Sequence, residues 1–254
     1  MRTTRLLILV LFLPLLSGCG HKQATVSVPP PPELPPQATV TTPPPLPSPA
    51  NRDTTTTNAP VPATPVPITP NEKPLNTQLG LASWYGAPYH NRRGSNGQLY
   101  DMHAMTAAHR TLPLNSLVRV TNVKTGSSAV VRITDRGPFI GERIVDLSMA
   151  AAKAIDVWGP GTAWVRVELL ETPAPLDTGG KWAVQIGAFD TREAALQMEQ
   201  SVIDRYHPAN VLEFAGPTGE WVRIRVQNDD RQLAEQISQS ITTPEGGVFL
   251  VRLD

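Results

Sequence analysis

Twenty-seven prolines among 254 residues, crowded into the first third of the chain, set the first limit on how it can fold. From Gly20 to Gln78 the chain is rich in Pro, Thr and Ala, as in Pro29-Pro30-Pro31-Pro32, Pro43-Pro44-Pro45 and Pro60-Val61-Pro62. That segment has no aromatic residue and few charges, so it cannot bury enough apolar surface to offset its ordering entropy. Such chain tends to extended polyproline II, rising about 3.1 Å per residue and reaching up to roughly 180 Å. A disordered spacer is the plainer reading, with a proline-motif ligand as its rival. Core formation is therefore left to the chain from about Leu79 onward.

Before the spacer, Met1 to Gly18 has the three parts of an export signal. Arg2 and Arg5 make a positive start, and Leu6 to Leu16 make an apolar run that is shorter than the ~20 residues a spanning helix needs. The run ends in Leu16-Ser17-Gly18-Cys19, which resembles the bacterial lipobox. That resemblance implies that Cys19 becomes the amino terminus of residues 19–78 and carries lipid, each buried CH₂ adding about 0.8 kcal/mol of anchoring. Gly20 in place of Asp implies the outer membrane, facing the periplasm. Cys19 is the only cysteine, so no intramolecular disulfide can form. A net charge of +0 and a pI near 7.0 leave no footprint for nucleic acid.

The ordered part divides at a short hinge, residues 172–180, rich in Pro and Gly. In residues 79–171 short apolar runs alternate with turn punctuation. Leu81 to Gly86, Met105 to His109, Ser116 to Asn122, Ser128 to Thr134, Arg143 to Leu147 and Thr162 to Leu169 read as strands. Lys124-Thr125-Gly126 joins two of them as a hairpin. Ser148 is placed to cap a helix over Met149 to Val157 that Gly159 closes. Many short strands with one short helix predict a small all-β barrel.

Residues 181–254 carry a different pattern. A strand from Trp182 to Phe189 precedes a helix capped by Asp190, with Glu193 at its third position and Ala195, Met198, Val202 and Tyr206 on one stripe. A hairpin turns at Gly216-Pro217-Thr218-Gly219. A second helix, Asp229 to Ile241, buries Leu233, Ile237 and Ile241, and Val248 to Val251 is the last strand. The order βαββαβ predicts a small α+β, ferredoxin-like domain with both helices on one face. Alternation then puts Val222, Ile224 and Val226 toward the helices and leaves Trp221, Arg223 and Arg225 on an open sheet.

The motifs Ala82-Ser83-Trp84-Tyr85-Gly86, Leu99-Tyr100-Asp101, Met105 to Leu114, Val118 to Asn122 and Asp135-Arg136-Gly137-Pro138-Phe139 stand in one order. Together they closely resemble the double-psi β-barrel domain of the rare lipoprotein A family, and Lys181 to Asp254 resembles a SPOR domain. The resemblance implies a peptidoglycan lytic transglycosylase that acts in cell separation at the division septum, with a SPOR domain that binds glycan strands stripped of their peptides. It implies no cofactor, and no His/Cys/Asp spacing resembles a zinc motif.

Such an enzyme cleaves the glycosidic bond of muramic acid without water. One acid protonates the leaving oxygen, and a base then takes the proton of the sugar's own primary hydroxyl as an anhydro ring closes. Asp135, at the mouth of the strand Val130 to Thr134, suits that acid/base role and matches the family's catalytic aspartate; its other reading is a turn residue bonding the following backbone. His109 matches the family's active-site histidine and would orient Asp135 or stabilise charge, or else is a buried histidine satisfied by backbone. Gln98 stands where the family usually has glutamate, and an amide cannot carry a proton at neutral pH. That substitution leaves open a protein that binds glycan without cutting it. Asp101 reads as a turn residue, and no role is argued for His90 or His103. Tyr85, Thr106 and Arg136 are expected to contact substrate on the barrel, as are Gln185, Trp221 and Arg223 on the second domain. Gln227-Asn228 replaces the Gly-Pro common after the third SPOR strand.

Overall fold

A computed structural model describes residues 73–216 and 218–254 of the chain. The export signal, the lipid site at Cys19 and nearly all of the proline-rich spacer lie outside the described residues. Six strands close the predicted barrel: β1 (Asn76–Tyr85), β2 (Thr106–His109), β3 (Leu117–Asn122), β4 (Ser128–Asp135), β5 (Arg143–Ser148) and β6 (Ala163–Glu171). Around the wall they run β1-β5-β2-β4-β3-β6. β1 starts at Asn76, three residues before the expected onset of order, because Asn76 to Gln78 already pair with Leu169 to Val167.

The barrel closes because β-branched and leucine side chains recur at inward positions. Val118, Val120, Val131, Ile133, Val145, Leu147, Val165 and Val167 are each at most 1% exposed and fill the interior as layers of side chains. β3 and β4 make the expected hairpin, with Val118 opposite Val131. Two pairings are parallel, β1 with β5 and β2 with β4. These set Ser83 beside Asp146 and Ala108 beside Asp135. The helix after β5, α1 (Met149–Ala154), is capped by the Ser148 hydroxyl as predicted, but it stops three residues before the expected Val157. Asp156 takes a left-handed conformation with φ 59°. That break turns Ile155 and Val157 into the core, where both are fully buried.

In the second domain β7 (Trp182–Phe189), α2 (Arg192–Tyr206), β8 (Asn210–Gly216), β9 (Gly219–Arg225), α3 (Arg231–Ser240) and β10 (Gly247–Arg252) follow the predicted βαββαβ order. The sheet runs β10-β7-β9-β8. Val184, Ile186, Val222, Ile224 and Val226 pack under both helices with Ala195, Val202, Ala234 and Ile237. The cap of α2 is Thr191 rather than Asp190. Thr191 is extended and its hydroxyl accepts from Ala194 N at 3.2 Å, while Asp190 N donates to Glu245 at 2.9 Å. Glu193 therefore falls at the second helical position.

The other sheet face is not open, as expected, but covered by the barrel. Trp221 and Phe249 pack against Phe139, which follows β4, with ring centroids 5.8 Å away in each case. An aromatic face of this kind is too apolar to be left in water when a neighbour can cover it. Backbone bonds add to the join: Arg252 N donates to Arg110 O at 2.9 Å and Leu114 N to Asp254 O at 3.2 Å.

Arg252 is 1% exposed and holds this corner. Its guanidinium donates to Pro175 O at 2.7 Å and to Asp254 Oδ1 at 3.0 Å, and it lies 5.7 Å from the Trp182 ring centre. Replacing Arg252 by alanine leaves those acceptors unmatched and is expected to lower stability by about 2 kcal/mol. A urea titration of the chain measures it, and an unchanged midpoint would count against the clasp.

Candidate active site

Asp135 ends β4, where the Gly137-Pro138 turn stops the strand. Gly137 has φ 141°, a backbone conformation that a side chain rarely adopts, so this turn depends on glycine. A short loop before β2 folds across the aspartate, closed by Gly94 N to Gln98 O at 2.8 Å and Asn96 N to Thr134 O at 3.2 Å. Oδ1 of Asp135 accepts from Ser95 N at 3.0 Å, from the Ser95 hydroxyl, and from Arg136 N at 2.8 Å. Its turn role is thus real, and Oδ2 has no hydrogen bond among the described residues.

A second carboxyl that the sequence reading passed over shares the same cleft. Ala108 pairs with Asp135 on one side and with Asp146 on the other. The two acids thus flank one alanine across three adjacent strands, about 10 Å apart at their Cα atoms by ordinary strand spacing. Ser83 Oγ donates to Asp146 Oδ1 at 2.7 Å, and Arg143 reaches Oδ2 at 3.3 Å. Burial pushes the Asp146 carboxyl above its usual range, outweighing the opposing Ser83 bond and the charges of Arg143 and Arg110. In the sequence the signal was slight: one acid between Val145 and Leu147, on a strand otherwise reading as wall.

Tyr85 stacks on Tyr100 with centroids 4.3 Å apart, and the Tyr100 hydroxyl donates to Tyr85 O at 2.7 Å. Burial, then the charges of Asp135, Tyr100 and Asp146, raise the Tyr85 phenol well above its ordinary value. The Tyr85 and Thr106 hydroxyls are buried and close enough to interact with each other, which partly offsets the rise of the phenol, without either having a partner at full hydrogen-bond geometry. A cavity of about 390 Å³ joins these parts, lined by Tyr85, Asp135 and Asp146 of the barrel and Gln185, Trp221 and Arg223 of the second domain. That volume lies within the usual range for small-ligand sites. Arg223 is held there by Gln185 Oε1 at 2.7 and 3.1 Å and lies 4.9 Å from the Phe214 ring centre.

Three expected residues, His109, Gln98 and Thr106, do not line this cavity. His109, expected beside Asp135, lines a separate cavity with Gln78 and Ile144, because alternation along β2 turns Ala108 to the cleft and His109 away. Its Nδ1 accepts from Thr111 N and Leu112 N, each at 3.1 Å, so Nε2 carries the proton and donates to Gln78 Oε1 at 3.2 Å. Burial first, then Arg110 and Arg136, push its pKa down to about 3. It is the backbone-satisfied histidine. Arg136 lines the cavity as expected, although its guanidinium is engaged with backbone, donating to His109 O at 3.0 Å, Leu112 O at 2.7 Å and Asp254 O, and burial lowers its pKa to about 10. Gln98 accepts from Asn96 Nδ2 at 3.0 Å and steadies the loop that brings Ser95 to Asp135, without lining the cleft itself. Asp101 has the turn role foreseen for it, accepting from His103 N at 2.9 Å.

Residues 77–167 match the family described as lytic transglycolase, and residues 178–251 match the SPOR domain. A relative from Vibrio cholerae named endolytic peptidoglycan transglycosylase RlpA is 54% identical over 144 residues, 57% of this chain and 51% of that one. Another of that name, from Neisseria meningitidis, is 47% identical over 121 residues, 47% of this chain and 51% of its own. The chain spans about half the length of the curated relatives it matches. The solved structure of apo expansin from Clavibacter michiganensis is similar at a TM-score of 0.32 and 17% identity, over 60% of this chain and 81% of that one, too slight to bear on fold or function. Residues 77–167 thus carry a lytic transglycolase domain and residues 178–251 a SPOR domain, and the chain is similar over about half its length to the relatives named RlpA.

Proposed function

We propose that the chain is a lytic transglycosylase that cuts the glycan strands of peptidoglycan by forming anhydro-muramoyl ends. The observation that carries the reading is the pair of carboxyls, Asp135 and Asp146, in one cleft with the buried Tyr85. Asp146, whose burial favours the protonated form, donates to the glycosidic oxygen as that bond breaks. Asp135, an acceptor for three protein donors, turns its remaining oxygen toward the positive charge that develops on the ring. The carboxylate left on Asp146 then takes the proton of the sugar's primary hydroxyl as that oxygen closes on the anomeric carbon. Every proton is returned and no water is consumed, which separates this route from hydrolysis.

The preference for strands without stem peptides and the role in cell separation rest on the SPOR resemblance. Lipid on Cys19 would hold the enzyme at the outer membrane, and the proline-rich spacer would give it reach into the periplasm.

One observation favours a second reading, a lipoprotein that binds glycan without cutting: Gln98 replaces the glutamate usual in the family. Incubating purified chain with peptide-free strands, followed by mass analysis, separates the two. Anhydro-muramoyl ends that are lost in Asp146→Asn and diminished in Asp135→Asn support cutting, whereas intact strands with measurable binding support the second reading. A gain of activity in Gln98→Glu would mark that position as the one holding the rate down.

A further inference from the structure

We propose that the barrel cleft and the sheet face of the second domain form one glycan groove, so that a single stretch of strand fills both and the second domain sets where the cut falls. The inference rests on the reading of the cleft as a glycan site. Its alternative is two independent sites, one that cuts and one that merely tethers.

Three observations carry it. First, the cavity wall is shared: Asp135 and Asp146 face Arg223 and Trp221 across the same space. Second, the domains are joined beside the acids. Phe139, four residues after Asp135, contacts both Trp221 and Phe249, and Arg110 lies 5.5 Å from the Phe249 ring centre. Third, the side chains of the second domain that face the cleft are already positioned. Gln185 is 2% exposed and fixes the Arg223 guanidinium through two bonds to one oxygen, which leaves Nη1 free to donate to a sugar hydroxyl or acetamide. The Phe214 ring beneath that guanidinium, its centre 4.9 Å away, supports it in that position. A preset donor next to the reacting carboxyls acts as a neighbouring subsite, and binding there is available to orient the bond to be cut.

Calorimetric titration of the chain carrying Asp146→Asn with a peptide-free tetrasaccharide of alternating N-acetylglucosamine and N-acetylmuramic acid tests this. The expected result is one tetrasaccharide per chain, with that single event weakened about tenfold or more both by Arg223→Ala on the second domain and by Tyr89→Ala on the barrel, where Tyr89 lines the same cavity with its ring 5.9 Å from that of Tyr85. Thr218→Trp, at an exposed position on the rim, should block the same event and serves if Arg223→Ala fails to fold. Two tetrasaccharides per chain, each sensitive to a variant in only one domain, would overturn the groove, as would absence of binding. A chain that binds one tetrasaccharide yet releases no anhydro ends as wild type keeps the groove and loses the enzymatic reading. One that cuts but binds two loses the groove alone.

Discussion

Replacing Asp146 by asparagine is expected to lower strand cleavage by about 10³-fold, the usual worth of a positioned general acid and base, while strand binding persists. Asparagine keeps the size of the side chain and can still accept from Ser83, so the wall of β5 need not move. What it loses is the proton. A companion variant reads out the acid directly. The Ser83 hydroxyl stabilises the ionised form of Asp146, so Ser83→Ala should raise the pKa of that carboxyl further. Acid catalysis fails as pH rises through that pKa; the alkaline limb of the pH profile should therefore move to higher pH in Ser83→Ala. Cleavage at the wild-type rate in Asp146→Asn, together with its loss in Asp135→Asn, would return the proton to Asp135. Under the present assignment Asp135→Asn loses charge stabilisation at the ring, and its pH profile should keep the wild-type alkaline limb.

The strands and helices were largely readable from residue order, because their signals are local. Alternation marked β6 and β7, Ser148 announced α1, and the turn at Gly216 to Gly219 separated β8 from β9. The misses have a common physical origin. Thr191 and Asp190 are both good caps, and only the backbone leaving β7 decides between them. Likewise Asp156 ends α1 because Ile155 and Val157 are drawn into the core, which no propensity expresses. Sequence adjacency also cannot say which strands run parallel, and the parallel pairings are what set Asp135 and Asp146 on either side of Ala108. The motif containing His109 was recognised, but its direction on β2 depends on the register with β4 and β5. The sheet face bearing Trp221 was assigned correctly, yet its cover comes from Phe139, 82 positions earlier in the chain. In each case the side chain was visible and its neighbour was not.

His109 offers the second large effect, and it concerns stability rather than proton transfer. His109→Ala strips the acceptor from two backbone N–H groups, Thr111 and Leu112, and is expected to cost about 3 kcal/mol at neutral pH. The loss should spread, since the carbonyls of His109 and Leu112 hold Arg136, whose own N–H holds Asp135. The pH dependence has a definite sign. In the native chain the imidazole stays neutral down to about pH 3, whereas in the unfolded chain it takes a proton near pH 6.5. Acid therefore favours the unfolded state, and this group alone should remove about 2 kcal/mol of stability between pH 7 and pH 5, with no contribution above pH 7. His109→Asn can present an acceptor oxygen near the place of Nδ1 without titrating. Urea midpoints for the two chains should diverge on acidification, wild type falling more steeply. Parallel curves would mean that the imidazole does not behave as a buried neutral group. Strand cleavage supplies the remaining arm: a folded His109→Asn chain should keep its pH profile, because a histidine that turns away from the cleft has no proton to contribute there. If that chain were stable and inactive, the histidine would have to reach the substrate after all, and the order of roles along β2 would reverse.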